Sequence, residues 1–120
     1  MATYYLAVDI GASSGRHILG HLEDGKMVLE EVYRFENGMV KKGDELCWEF
    51  DRLFQEILNG LKKCKEIGKV PVSMGVDTWG VDFDLLDKDG NVLGNTGGYR
   101  DHRTEGMDEK VYEVISLLWK

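Results

Sequence analysis

One proline, Pro71, and two cysteines, Cys47 and Cys64, are all that 120 residues contain of either. The cysteines lie far apart with no C-x-x-C spacing. His17, His21 and His102 complete no zinc-ligand pattern with them, which argues against zinc and leaves a buried, reduced pair as the expectation. No Pro/Ser-rich linker, internal repeat or low-complexity segment interrupts the chain. No apolar run approaches the roughly 20 residues of a membrane span. The first residues carry no basic region followed by an apolar one, so no secretory signal is visible and a cytoplasmic protein is expected. A basic stripe is also missing. The formal net charge is −7 and the pI about 4.9, which makes nucleic acid and anionic membrane poor partners. A cofactor phosphate remains possible, because local N–H groups and a cation hold it rather than net charge.

What is present is enough to build a core, since 42% of the residues are hydrophobic. The organising stretch runs from Val8 to Arg16. An apolar run, Tyr4 to Ile10, has strand length and carries one acid, Asp9, near its end. Gly11 and Gly15 bracket Ala12, Ser13 and Ser14, and glycine lets a backbone approach a ligand closely. Two hydroxyls and the amides of such a turn can surround phosphate oxygens. Arg16 adds charge there or is tied to a neighbouring acid. Gly20 and Gly25 then argue against a helix, so a second strand returns beside the first. A dinucleotide-binding turn or a Walker loop would open a helix, and the Walker lysine is missing. Two readings stand side by side: an ordinary β-hairpin with a Gly/Ser turn, and a hairpin whose tip holds phosphate beside a carboxylate.

Asp24-Gly25 marks the next turn, and Met27 to Phe35 reads as a third strand. A polar loop is expected from Asn37 to about Glu45. Asp51 is the expected N-cap of a helix whose face is Leu53, Phe54, Ile57, Leu58, Leu61, Cys64 and Ile67, with Gly68 at its C-terminal end. Gly60 inside that helix predicts close packing against the sheet. Val70 to Asp77 reads as a fourth strand that again ends in an acid. A right-handed crossover would bring Asp77 beside Asp9. Phe83 to Leu86 is expected to resume a strand and Asn91 to Leu93 to pair with it. Thr104 is the expected cap of a last helix with the face Met107, Val111, Val114, Ile115 and Leu118, still unfinished at Trp119-Lys120. The element order is α/β, an antiparallel three-strand meander followed by helix–strand units, and it predicts one part of a larger domain.

Three segments then take on a pattern: Asp9-Ile10-Gly11-Ala12-Ser13-Ser14-Gly15-Arg16, Gly75-Val76-Asp77-Thr78-Trp79-Gly80-Val81-Asp82, and Tyr99-Arg100-Asp101-x-Arg103-Thr104. In this order they resemble signatures of the rhamnulokinases, a branch of the FGGY carbohydrate kinases. The resemblance implies a ribonuclease H-like fold of the actin/hexokinase/Hsp70 superfamily. It implies that residues 1–120 are the N-terminal part of the first, sugar-binding domain, with the second domain absent. ATP and Mg²⁺ are the implied cofactors, and L-rhamnulose or a related ketose the implied substrate. Asp9 would hold Mg²⁺, through water. Ala12, Ser13, Ser14, Gly15 and Arg16 would line the ATP-phosphate loop. Gly80 would meet the sugar by its backbone, with Trp79 shaping that wall and Arg100 and Arg103 bordering the pocket. The catalytic base of such kinases sits in a His-Asp-Thr motif, which this sequence lacks. The base is therefore expected beyond Lys120, and a chain of this extent would be inactive alone.

From the residues themselves other readings stay open. Trp79 can be a core tryptophan whose N–H finds an acceptor. Arg100, Asp101 and Arg103 can be a solvated salt-bridge cluster. The whole can be an actin- or Hsp70-like ATPase segment, or a binding domain without chemistry.

Overall fold

The computed structural model describes residues 2–115. Three strands form the expected meander: β1 (Tyr4–Ile10), β2 (Ser14–Glu23) and β3 (Lys26–Glu36). Alternation decides which face is buried. Leu6, Val8 and Ile10 point one way from β1 and pair with Leu19, His17 and Gly15 of β2, all buried. Asp9 and Arg16, opposite each other in the same ladder, belong to the other face. The β2–β3 register slips between His17 and Ile18, which leaves Val32 as a bulge.

Helix α1 (Phe50–Glu66) covers the buried face with Leu53, Ile57, Leu61 and Cys64. Its three-and-four spacing was legible, but its face is narrower than expected. Phe54 and Ile67 remain exposed at 57% and 37%. Gly60 does pack closely. A Cβ there would stand 2.1 Å from the His17 ring, so helix and sheet approach only because none exists. His17 is fully buried and its Nε2–H donates to Ile57 O at 3.2 Å. The helix start differs from expectation. Its N-cap is Glu49, with no side-chain cap, and Asp51 lies in the first turn, where its charge favours the dipole. Gly68 follows the C-cap at φ +71°, as a terminating glycine should.

Strand β6 (Pro71–Asp77) joins β1 in parallel, giving the sheet order β3-β2-β1-β6. Asp77 is the register partner of Asp9. The expected loop before the helix instead contains a hairpin, β4 (Val40–Lys42) with β5 (Glu45–Cys47). Its strands are three residues each, too short to show a period, and Gly43 turns between them at φ +63°. The expected strand from Phe83 to Leu86 reduces to one bridge, Leu86 with Val92. Asp87 takes over the turn by accepting from the amides of Asp89 and Asn91 and the Asn91 side chain. Helix α2 (Met107–Val114) is capped by Gly106 at φ +71°, not by Thr104. No residue of it is buried, so the expected apolar face of Met107, Val111, Val114 and Ile115 covers nothing among the described residues. Leu118, Trp119 and Lys120 lie outside the described residues. Cys47 and Cys64 are buried and free, and burial pushes both thiols up. No described helix is long and apolar enough to cross a membrane.

Candidate functional site

The carboxyl ends of β1 and β6 lie side by side, about 4.8 Å apart as neighbouring strands do. Two parallel strands that end together make the usual ligand-binding edge of an α/β sheet. Asp9 and Asp77 share register and face there. Arg16, across the other ladder, donates from Nε to Asp9 Oδ2 at 3.2 Å, with both side chains close to half exposed. So Arg16 is tied to the neighbouring acid. An exposed pair of this kind contributes about 0–1 kcal/mol, which leaves it free to exchange partners.

Gly11 N donates to Ser14 O at 2.9 Å and closes the hairpin tip over Ala12 and Ser13. Asn37, just past β3, straps that tip. Its amide donates to Ser13 O and its Nδ2 to Gly11 O, both at 2.9 Å. Two tip carbonyls are thereby occupied, while the amides of Ala12 and Ser13 have no partner among the described residues. Gly15 serves a purpose other than turning. It lies buried under Phe35, and a Cβ would come within 2.1 Å of that ring. Neither Gly11 nor Gly15 has a positive φ. Of the five residues expected at the phosphate loop, Ala12, Ser13 and Ser14 form the tip and its exit, Arg16 stands beside Asp9, and Gly15 faces the helix side.

After Asp77 the chain turns through Thr78-Trp79-Gly80-Val81-Asp82. Gly80 is exposed, and a Cβ there would meet nothing within 4 Å. Val81 stands at φ +69°, a conformation that costs a β-branched residue about 1–3 kcal/mol. The turn it makes brings Asp82 back to Trp79, whose Nε1–H donates to Asp82 Oδ2 at 2.8 Å. Trp48 donates to the same oxygen at 2.7 Å and stacks on Trp79 with centroids 4.1 Å apart. Trp79 thus finds an acceptor, as a core tryptophan would, yet it also forms a wall. With Ile10, Phe54, Thr78 and Asp82 it lines a cavity of about 240 Å³. The cavity opens on the α1 side of the sheet and the two acids on the other. They meet only at the strand ends.

Arg100 and Arg103 line no part of that cavity. Arg100 lies over the Tyr99 ring, and Arg103 Nη1 donates to Gly98 O at 3.3 Å. Asp101 is no solvated charge. It accepts from Leu46 N at 2.6 Å and Arg103 N at 2.8 Å, and those two amides, with the Arg103 guanidinium, hold its carboxyl below the ordinary value. Sequence reasoning missed Asn37, Trp48 and the double donation to Asp82. Asn37 followed a strand and read as the start of a polar loop. Trp48 and Asp82 are 34 residues apart, so no local pattern joins them.

The sheet and its helix define the class. The fold is one shared with solved sugar kinases. It matches a gluconate kinase from Lactobacillus acidophilus with TM-score 0.69 over 94% of this chain and 25% of that one, at 14% identity. A ligand-bound xylulose kinase from the same organism matches with TM-score 0.66 over 92% and 24%, again at 14% identity. Sequence narrows the likeness to rhamnulokinases. The chain is 52% identical over 111 residues to the rhamnulokinase of Oceanobacillus iheyensis, covering 92% of this chain and 24% of that protein. It is 44% identical over 116 residues to that of Bacteroides thetaiotaomicron, covering 97% and 24%, and 41% identical over 112 residues to that of Bacillus subtilis, covering 93% and 23%. The chain thus spans about a quarter of the length of the curated relatives it matches. No family model matches it.

Proposed function

We propose that the protein of which this chain forms part is an ATP-dependent sugar kinase. It transfers the γ-phosphoryl group of MgATP to the 1-hydroxyl of L-rhamnulose, giving L-rhamnulose 1-phosphate for L-rhamnose catabolism in the cytoplasm. Residues 1–120 are then the N-terminal part of the sugar-binding domain. The catalytic base and the adenine pocket belong to the part of the relatives that this chain does not span. The observation that carries the reading is the juxtaposition of Asp9 and Asp77 at parallel strand ends, beside a tip whose Ala12 and Ser13 amides have no partner among the described residues. The names of the relatives supply the substrate.

Phosphoryl transfer asks for positioning and charge stabilisation more than for a protein nucleophile. Ala12 and Ser13 amides, the Ser13 and Ser14 hydroxyls and Arg16 are donors suited to phosphate oxygens. Asp9, with Asp77 beside it, suits a hard cation that keeps several waters and takes one or two carboxylates besides phosphate. When bound with ATP, Mg²⁺ supplies neutralising charge at the transferring phosphoryl group. Trp79 offers a flat apolar face and Gly80 an open backbone to the sugar.

The test is ADP release by the full-length protein across a panel of ketoses, with wild type and Asp9→Asn side by side. Wild type should turn over L-rhamnulose. Asp9→Asn should lower turnover on the order of 10²–10³-fold, the scale for losing one electrostatic group at a reacting centre, with an unchanged circular dichroism spectrum. Silence of the wild type with every ketose would remove the function. Near-normal turnover by a folded Asp9→Asn would remove only the role of Asp9.

A further inference from the structure

Two indoles that donate to one carboxylate oxygen do more than satisfy their own N–H groups. An ionised carboxylate has about four acceptor positions. Trp48 and Trp79 occupy Oδ2 of Asp82 at 2.7 and 2.8 Å. Oδ1 has no hydrogen-bond partner among the described residues, and Asp82 lines the cavity beside Trp79. The carboxylate is fixed by two stacked indoles that come from distant parts of the chain. Trp48, only 2% exposed, directly follows β5, and its amide donates to Thr96 O at 2.8 Å. Trp79 follows β6 and packs against the main core. The strained backbone at Val81 is what turns Asp82 into this fork. A carboxylate used only to cap one indole would need neither the second donor nor the strain, since a backbone carbonyl serves as well.

We infer that Asp82 is a recognition residue for a polyol. Its open Oδ1 accepts a hydroxyl of a sugar whose apolar face lies on Trp79, and Trp48 is a positioning residue that fixes the carboxylate plane. This rests on the kinase reading and names a specificity contact within it. The chemistry selected is a hydroxyl donor next to a C–H face. A ligand without that hydroxyl leaves Oδ1 unpaired and is rejected.

The experiment is calorimetric titration of the full-length protein with L-rhamnulose and, separately, with MgATP, in wild type, Asp82→Asn and Trp48→Phe. Near-ultraviolet circular dichroism reports the stacked tryptophans. Asp82→Asn should weaken ketose binding roughly 10–100-fold, the range for a hydrogen bond to a charged acceptor, and leave MgATP binding unchanged. Trp48→Phe keeps a ring in the stack and should weaken ketose binding about 3-fold, again without effect on MgATP. If wild type binds the ketose and both variants match it, Asp82 is a structural acceptor and the inference is overturned. If wild type binds MgATP but no ketose, the kinase substrate itself is wrong and the inference falls with it. Should Asp82→Asn lose its near-ultraviolet signal, the Trp48→Phe arm decides, and unchanged ketose affinity there overturns the inference.

Discussion

Residues 4–77 and residues 78–115 hold themselves together by different physics. The first region buries Leu6, Val8, Ile10, Leu19, Phe35 and Cys64 between a four-stranded sheet and α1. The second leaves Val81, Phe83, Leu85 and Val114 exposed at 85%, 75%, 63% and 84%. Its shape comes from carboxylates instead. Asp82 gathers two indoles, Asp84 accepts from Thr96, Asp87 closes a turn and Asp101 clamps β5. Burial is non-directional and tolerates little change of volume, whereas polar clamps are directional and depend on charge. The first region should therefore break by sterics and the second by chemistry. The second also carries half of the cavity wall, in keeping with function residing on loops placed by a rigid scaffold.

The largest effect on the comparison is expected at Gly60. Gly60→Ala puts a methyl 2.1 Å from the His17 ring, and neither helix backbone nor buried imidazole can yield cheaply. A loss of about 1–3 kcal/mol is expected, despite the gain in helix propensity. Urea denaturation followed by far-ultraviolet circular dichroism measures it. Unchanged or increased stability would show that α1 can slide on the sheet. Hydrogen exchange of peptides from residues 4–23 and 50–77 should rise together, which marks them as one cooperative unit.

The same contrast explains what was legible. Strands β1 and β2 and helix α1 show their periods because one face of each packs into the core, and burial imposes alternation or three-and-four spacing. The meeting of Asp9 and Asp77 followed from a helix between two strands. Gly60 betrayed close packing because glycine inside a helix is otherwise disfavoured. Beyond Asp77 that logic fails. Phe83 and Leu85 look like strand residues, but the segment is shaped by Asp side chains bound to backbone amides and indoles, and such bonds leave no period. The hairpin β4–β5 is invisible for a related reason, since Cys47 pairs with Gly97 and its Leu46 amide meets Asp101, both far along the chain. The candidate site divides in the same way. Asp9 and the hairpin tip are local features, whereas the Trp48–Asp82–Trp79 fork is assembled from distant ones.

A smaller effect comes from pH in the first region. Burial lowers the pKa of His17 below its ordinary 6.5, against the opposing pull of Ile57 O and Glu56. Below pH 6.5 the unfolded imidazole takes up a proton that the folded one refuses. Stability should therefore decline as pH falls through 6.5 and level off once the folded pKa is passed. His17→Gln should flatten that slope. Urea midpoints at steps between pH 7.5 and pH 5 measure it, and an equal slope in wild type and variant would assign the decline to other groups.

The smallest effect is local to the second region and the β5 strand that it clamps, and it lies at lower pH. Asp101 is held below its ordinary 3.8 first by the Leu46 amide, then by the Arg103 amide and side chain. Asp87 is held down by the Asn91 side chain and amide. A carboxylate with a lowered folded pKa contributes stability that is complete above its unfolded value and is lost as pH falls through the folded one. The two regions should thus respond in sequence on acidification, the His17 region below 6.5 and the clamps only below 3.8. Asp101→Asn removes the charge without changing the size of the side chain. In this variant at neutral pH, exchange should quicken at residues 45–48 and 96–103 and stay unchanged at residues 4–23. The extra exchange that wild type acquires at 45–48 below pH 3.8, after correction for intrinsic rates, should be absent, because the group that titrates is gone. Exchange that quickens equally in both regions would mean that β5 and the Asp101 segment are part of the main cooperative unit, and that the division drawn between burial and clamps does not hold.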